Sequence, residues 1–224
     1  MKRLQMLRSG NFVDSNRQTL NHYFVPFINE FNEFFVIVGN LGIIRTSPDA
    51  ITWTARTSGA TGTLWSITWS GTQFVAVGDT GTILTSPDGI TWTVRTSGTG
   101  VNLSGNAWSG TQFVVTGQSG TIRTSPDAIT WTARTSGATG MLWSITWSGT
   151  QFVAVGESGT ILTSPDAITW TAGTSGTTST LRSITWSGTQ FVAVGDTGTI
   201  RTSPDAITWT ARTSGTTQTL FRIF

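Results

Sequence analysis

The 224-residue sequence predicts an all-β fold, and three observations support this prediction. The stretch Thr-Ser-Pro-Asp-Gly-Ile-Thr-Trp, or the same stretch with Ala in place of Gly, recurs at 39-residue intervals and ends at Trp53, Trp92, Trp131, Trp170 and Trp209. Each repeat holds four short runs of β-prone residues separated by turn-forming residues, and no run has helical spacing. A fixed period with four antiparallel strands per repeat is typical of a propeller blade, so we predict a five-bladed β-propeller.

The second repeat shows the four predicted strands most clearly. They are Leu64–Trp69, Phe74–Gly78, Thr82–Thr85 and Ile90–Arg95. The first run alternates, which predicts Trp65, Ile67 and Trp69 on one face, and the second is mostly apolar, which is typical of a strand buried on both faces. The fourth is rich in threonine and ends in arginine, which suits an exposed sheet edge. One blade cannot bury both faces alone, so we expect each blade to pack against the next.

The repeats also define the domain organisation. Residues 1–23 carry no copy of the repeat and are predicted to be an amino-terminal extension, and residues 24–224 are predicted to form the propeller. The tail 220–224 has the register of a sixth first strand, so pairing of the chain ends, with the tail beside 34–39, would close the ring. Residues 24–30 have the same register and compete for that place. The sequence leaves both closing strands open.

Composition argues against several classes of protein. The net charge of +2 and the absence of a long Lys/Arg run predict no nucleic-acid partner. With no cysteine there is neither a disulfide framework nor a thiolate metal site. No stretch approaches the roughly 20 apolar residues of a membrane span, and the basic start lacks the apolar core of a signal peptide. We expect a monomer; its location, cytoplasmic or in a virion-like assembly, stays open.

The recurring stretch resembles a known motif. Ser-x-Asp followed by Thr-Trp is similar to the Asp-box (BNR repeat) of sialidase-type propellers, although the box here is one residue shorter. The surrounding unit, with Val-Ala-Val-Gly, Gly-Thr-Ile and Thr-Ser-Pro-Asp, is most similar to the photosystem II assembly factor (Ycf48-like) propellers and their bacterial relatives. The resemblance covers about residues 24–224 and implies a propeller. Such propellers include enzymes, lectins and assembly factors, so it implies no single function.

Each recurring turn offers a single carboxylate, which favours a structural role over a metal site. Short Asp and Ser side chains accept hydrogen bonds from the backbone of their own turn, and Pro fixes one of its dihedrals. A Ca²⁺ site, in contrast, takes about six to eight oxygen ligands. We therefore predict a structural role and no bound metal for the five aspartates Asp49, Asp88, Asp127, Asp166 and Asp205.

The sequence provides no set of residues for catalysis. Sialidases need a nucleophilic tyrosine with partner acids, but Tyr23 is the only tyrosine and lies outside the repeats. His22 is the only histidine, so no Ser/His/Asp set can be assembled. The glutamates Glu30, Glu33 and Glu157 form no cluster with metal-ligand spacing. We expect a protein that is not an enzyme and that carries no cofactor.

Positions at which the near-identical copies differ are the best candidates for function. One is the second residue of the first strand, and it reads Pro26, Trp65, Ser104, Trp143, Arg182 and Phe221. Burying an unpaired guanidinium is costly, so we predict that this position lies at a rim or channel mouth. Another, in the third strand, reads Arg45, Leu84, Arg123, Leu162 and Arg201. Each of these arginines precedes an aromatic residue by twenty positions, which predicts stacking across the blade interface for the pairs Arg45–Trp65, Arg123–Trp143 and Arg201–Phe221.

Two functions fit this pattern. The first is a non-catalytic scaffold that binds a protein or assembly partner through one face, formed by the variable loops 60–63, 99–102, 138–141, 177–180 and 216–219. The second is a multivalent lectin that binds a glycan in shallow sites on each blade. There, Trp65 or Trp143 would stack on a sugar. Its hydroxyls would be bound by the glutamines Gln73, Gln112, Gln151 and Gln190, with nearby Asp79, Asp196 or Glu157. Tryptophan in a propeller more often packs between blades, so we favour the scaffold.

The candidate binding residues for these two functions are Trp65, Trp143, Arg182, Phe221, Gln73, Gln112, Gln151 and Gln190.

Overall fold

The computed structural model describes residues 35–224. The predicted extension 1–23, the candidate closing strand 24–30 and the start of the first blade lie outside these residues. The described chain forms nineteen strands and five one-turn 3-10 helices. The strands make one three-stranded and four four-stranded antiparallel sheets, and in each sheet neighbours in space are neighbours in sequence. The all-β prediction and the count of five sheets are confirmed.

Each sheet is one blade of the repeat. Blade one contains β1 (Phe35–Val38), β2 (Ile44–Ser47) and β3 (Thr54–Arg56), and blade two contains β4 (Leu64–Trp69), β5 (Phe74–Gly78), β6 (Ile83–Ser86) and β7 (Thr93–Arg95). Blade three contains β8 (Leu103–Trp108), β9 (Phe113–Gly117), β10 (Ile122–Ser125) and β11 (Thr132–Arg134). Blade four contains β12 (Leu142–Trp147), β13 (Phe152–Gly156), β14 (Ile161–Ser164) and β15 (Thr171–Gly173). Blade five contains β16 (Leu181–Trp186), β17 (Phe191–Gly195), β18 (Ile200–Ser203) and β19 (Thr210–Arg212).

A 3-10 helix follows the second strand of each full blade and the first described strand of blade one. The five helices are Asn40–Gly42, Asp79–Gly81, Gln118–Gly120, Glu157–Gly159 and Asp196–Gly198.

The second strand of each full blade is the centre of the core. All five residues of β5 are buried, as its apolar sequence predicted. Phe74 and Ala76 pack into the cluster shared with blade one, whereas Val75 and Val77 pack into the cluster shared with blade three. Equivalent clusters join blades three and four and blades four and five. The hydrophobic core therefore lies between blades, and β5, β9 and β13 each contribute to two interfaces.

Aromatic side chains close each of these interfaces. The ring of Phe74 lies 4.3 Å from that of Trp69 and 6.2 Å from that of Trp92, measured between centroids. The same trio recurs in blades three, four and five around Phe113, Phe152 and Phe191. The tryptophan that ends each of these repeats is thus packed on its blade, as the preference of large aromatics for β cores suggests.

The face predicted for Trp65 is wrong because the first strand contains a β-bulge. The pairing of β4 with β5 shifts between Leu64 and Ser66, which leaves one additional residue on β4. Leu64 therefore joins Ile67 and Trp69 in the interface cluster. The Trp65 side chain instead donates its Nε1–H to Oδ1 of Asp79, at 2.6 Å. Simple alternation assumes a regular ladder, and a bulge changes its parity.

The fourth strand begins later than predicted. It covers only Thr93–Arg95, because the residues before it belong to the preceding turn. The amides of Ile90 and Thr91 donate to Oδ1 of Asp88, both at 2.8 Å, instead of to a neighbouring strand. The strong turn chemistry of aspartate outweighs the β propensity of isoleucine and threonine here.

The carboxyl-terminal tail lies beside blade five in the predicted register. The Leu220 amide donates to the Gly195 carbonyl at 2.9 Å, and this matches the bond from Leu64 to Gly39 at 3.0 Å. The Ile223 amide donates to Ser183 Oγ at 3.2 Å. Within residues 35–224 no strand pairing joins this tail to β1. Closure by the chain ends therefore stays a prediction.

Candidate functional site

The recurring Ser-Pro-Asp turn uses its carboxylate internally. In blade two, Ser86 Oγ donates to Asp88 Oδ1 at 3.0 Å, and the amides of Ile90 and Thr91 donate to the same oxygen. The Trp92 Nε1–H donates to the Gly89 carbonyl at 2.9 Å, which ties the tryptophan to the turn. In the other four copies, Oδ1 of the equivalent aspartate accepts the same three hydrogen bonds. These carboxylates therefore hold the conformation of their own turns.

The turn also stabilises the charged form of each aspartate. The backbone amides of Thr130 and Ile129, followed by the Ser125 hydroxyl, hold the pKa of Asp127 below its usual value. Hydrogen bonds to a carboxylate favour its ionised form. Among residues 35–224, no group of three or more His, Asp or Glu side chains could hold a metal ion.

Acid is expected to weaken the fold through these turns. All five turn aspartates have a pKa below the ordinary value in the folded protein. Their contribution to the free energy of unfolding is therefore fully present above about pH 3.9, the pKa of an aspartate in the unfolded chain. It is lost as the pH falls through the lower folded pKa, because the unfolded chain then binds protons more readily. The urea midpoint should stay level between about pH 7 and about pH 4, and it should decrease as the pH is lowered further to about pH 2. A midpoint that is unchanged at about pH 2 would contradict this role.

The variable first-strand position forms a row of neighbouring side chains across the blades. The Arg182 guanidinium lies 5.0 Å from the centroid of the Trp143 ring and 5.8 Å from that of Phe221. Arg182 Nε also lies 2.7 Å from Asp196 Oδ1, and the hydrogen bond from Arg182 is the main cause that lowers the pKa of Asp196. Phe221 keeps 59% of its surface exposed. Three candidate binding residues thus lie together, with Arg182 between the two aromatic rings.

The predicted stacking of the third-strand arginines is wrong for two pairs. Arg182, and not Arg123 or Arg201, is the cation that lies over the rings of Trp143 and Phe221. Arg123 and Arg201 instead reach the loop of the preceding blade. Arg123 Nη2 donates to the Gly98 carbonyl and Arg201 Nη2 to the Gly176 carbonyl, both at 2.6 Å.

Two of the four candidate glutamines link adjacent blades. Gln73 Nε2 donates to the Asp127 carbonyl at 3.1 Å, and Gln151 Nε2 donates to the Asp205 carbonyl at 3.0 Å. Each bond runs from a hairpin to the Ser-Pro-Asp turn of the next blade. Their amides therefore have a structural use, which weakens the sugar-binding role that the sequence suggested for them. Gln112 is half-buried and Gln190 is exposed.

A large groove lies in blade four, on the side of the variable loops. It has a volume of about 1070 Å³ and is open to solvent. Its walls are the loops Gly137–Gly140 and Thr174–Thr178 and the 3-10 helix with Glu157. Ile161 and Leu162 also line it. Blade three has a groove of about 440 Å³ at the related place.

The groove is open because blade four lacks the side chains that fill this space elsewhere. A Cβ built on Gly98 would lie 3.3 Å from Arg123, and one on Gly176 would lie 3.4 Å from Arg201. In blade two the third-strand residue is a leucine, but Val94 fills the space. A Cβ built on Gly59, the equivalent glycine, would lie 3.7 Å from Val94. In blade four the corresponding residues are Leu162 and Ala172.

At the related glycine of blade four, Gly137, a Cβ would meet nothing within 4 Å. The slot between this loop and the strands therefore stays open.

A second arginine is also missing from blade four. In the other four blades a fourth-strand arginine donates its Nε–H to a threonine on the third strand, at 2.8–2.9 Å. Blade four has Gly173 at this position, opposite Ile161. Its threonine, Thr163, is half-buried, whereas the four equivalents are buried. Blade four thus has neither of the two arginines that the third and fourth strands carry in blades one, three and five.

Sequence reasoning noticed Leu162 but missed this groove. The signal is present in the sequence, because Gly173 replaces an arginine that the other four repeats keep. What the sequence does not show is which loop the third-strand side chain faces. Without that, the combination of Leu162, Ala172 and Gly173 has no evident consequence.

Antiparallel sheets packed face to face, one per sequence repeat, define a β-propeller. No protein-family model matches the sequence, and a search of curated proteins gives no match. One similar solved structure is YCF48 bound to D1 peptide, with a TM-score of 0.56 and 18% identity over 67% of this chain and 53% of that chain.

Two other solved structures have a similar fold. Sqt1 from Chaetomium thermophilum has a TM-score of 0.68 and 15% identity, over 88% of this chain and 60% of that chain. YCF48 from Cyanidioschyzon merolae has a TM-score of 0.60 and 12% identity, over 80% of this chain and 69% of that chain. This chain therefore spans between half and about two-thirds of their length. Identities this low show a shared fold, and at that level the predicted likeness to assembly-factor propellers is confirmed.

No helix within residues 35–224 has the length and apolar character needed to cross a membrane.

Proposed function

We propose that this protein is a non-catalytic scaffold that binds a protein partner through the face formed by its variable loops. The observation that carries the proposal is the open groove of blade four, which is bordered by two of those loops. A groove of this size between loops on a rigid sheet scaffold is a common setting for binding. The similar structure of YCF48 with a D1 peptide shows that a protein of this fold binds a peptide.

The chemistry of the turns supports a scaffold over an enzyme. Each turn aspartate already accepts hydrogen bonds from the serine hydroxyl and the backbone amides of its own turn, as in blade two. We propose that these turns are Asp-boxes with a structural role. The carboxylates at the 3-10 helices have similar local uses, since Asp79 accepts from Trp65 and Asp196 from Arg182. Groups that are committed in this way are poorly placed for acid or base catalysis.

A paired screen tests this function. The full chain would be probed with a randomised peptide display library and with a glycan array under the same buffer conditions. The proposal predicts enriched peptides with a shared sequence and no binding to the array. Selective binding to one sugar class, with no enriched peptide, would favour the lectin and overturn the scaffold.

We also propose that the chain ends close the ring. The tail 220–224 holds the place of a first strand beside β16, and its register puts Leu220 opposite Gly39. Deleting 219–224 removes the hydrogen bonds to Gly195 and Ser183 together with any closing pairs. We expect the free energy of unfolding to fall by about 1–3 kcal/mol, measured by urea denaturation. An unchanged value would favour residues 24–30 as the closing strand.

A further inference from the structure

We propose that the groove of blade four binds an arginine side chain of the partner, in the position that Arg123 and Arg201 occupy in their own blades. The inference rests on the proposed function and names the chemistry that the groove recognises. It follows from the repeat itself, since one chain shows the same slot both filled by a guanidinium and open.

The filled copies show what the slot holds. In blades three and five, the guanidinium of the third-strand arginine lies against the glycine of the preceding loop. It donates to that glycine's carbonyl at 2.6 Å in both cases. A short bond of this kind, from a charged donor, is among the stronger hydrogen bonds in proteins. The slot is thus shaped and polarised for a planar cation.

The open copy keeps the same backbone. The loop glycine of blade four, Gly137, has φ +74°, close to +72° at Gly98 and +70° at Gly176. The loop Gly137–Gly140 is tied down by the bond from the Gly120 amide to the Gly140 carbonyl, at 2.7 Å. The Glu157 amide also donates to the Met141 carbonyl, at 2.9 Å. The Gly137 carbonyl corresponds to the carbonyls that accept from a guanidinium in blades three and five. It is therefore held in place in blade four, where no arginine of the blade occupies the slot.

The charge and the apolar lining of the groove favour the same ligand. Glu157 lines the groove, and its Oε2 accepts from the Met141 amide at 3.1 Å, which fixes the carboxylate at the wall. The position that carries an arginine in blades one, three and five is Leu162 in blade four, so this slot holds no cation of its own blade. Leu162 packs on the side of blade four that faces blade three and gives an apolar contact for the methylene stem of an arginine, whose charged head remains hydrated. We expect arginine to fit better than lysine, because a guanidinium occupies this slot in blades three and five and its planar fork of donors matches it.

Blades two, three and five do not offer this site. Arg123 and Arg201 occupy the slot of their own blades, and Val94 occupies that of blade two. These natural copies supply matched variants of blade four. L162R reproduces the Arg and Ala pair of blade three, and A172V reproduces the Leu and Val pair of blade two. Both side-chain combinations already fold within this chain, so each variant should keep its structure.

The test is an NMR titration of the full chain with acetyl-Gly-Arg-Gly-amide. We expect saturable shifts of the Gly137 amide and of the Leu162 methyl signals. L162R and A172V should each weaken binding at least about tenfold, since either fills the slot. The control A211V, at the equivalent place in blade five, should leave the affinity unchanged. The uncharged analogue with citrulline in place of arginine should bind at least about tenfold more weakly.

Several results would overturn the inference. They are the absence of shifts at blade four, equal binding by wild type and A172V, and equal binding of the arginine and citrulline peptides. Display-selected peptides that bind wild type and L162R equally would overturn the arginine site and leave the scaffold function standing. A display screen without any enriched peptide would remove both.

Discussion

F152A should lower the free energy of unfolding by about 3–5 kcal/mol, which is the range for truncating a large buried aromatic side chain. Phe152 is 1% exposed and lies in the cluster shared by blades three and four. Its ring lies 4.5 Å from that of Trp147 and 6.4 Å from that of Trp170. The substitution leaves a cavity between two tryptophans that are each fixed by their own neighbours, so collapse around the gap is limited. Equilibrium denaturation in urea measures the effect.

The matched control is I168A in the same blade. Ile168 is 53% exposed on the Ser-Pro-Asp turn, so its truncation should change stability by about 0.5 kcal/mol or less. An F152A variant that loses less than about 1 kcal/mol would show that the interface cluster does not hold the blades together.

G159A should also be strongly destabilising. A Cβ at Gly159 would lie 1.9 Å from the Thr177 carbonyl oxygen, and the backbone has φ +70°, which L residues rarely adopt. The strain of φ costs about 1–2 kcal/mol, and displacing the loop adds about 1–3 kcal/mol. We therefore expect a loss of about 2–5 kcal/mol in urea denaturation.

G215A separates the two causes. Gly215 has φ +74°, but a Cβ there would meet nothing within 4 Å. This variant should show only the cost of the backbone conformation, about 1–2 kcal/mol. Equal losses for G159A and G215A would mean that the loop moves freely away from the 3-10 helix, which would contradict a fixed wall for the groove.

Most of the architecture could be predicted from the sequence because it repeats. The 39-residue period gives the blades, and the turn residues give the breaks between strands. Trp65 shows the limit of this reasoning. Alternation put it on the face of Ile67, but one additional residue in the ladder reversed the parity, and no residue type at that point signals a bulge. Ile90 shows a second limit, since the turn of Asp88 takes precedence over its β propensity.

The candidate site was less predictable, because it depends on contacts between blades. The alternation of arginine and leucine in the third strand was evident, yet its meaning depends on direction. A spacing of twenty residues suggested the aromatic residue of the following blade, whereas Arg123 reaches back to Gly98. Once that direction is known, Leu162 marks a missing side chain. The sequence thus identifies where the repeats differ, and the structure identifies what the difference exposes.

Hydrogen–deuterium exchange of the full chain with a display-selected peptide locates the bound partner on the propeller. Binding in the groove of blade four predicts slower exchange in residues 137–141, 157–162 and 172–178, and none of this protection in L162R. Protection confined to the first-strand row around Trp143 and Arg182, with these three segments unchanged, would contradict it.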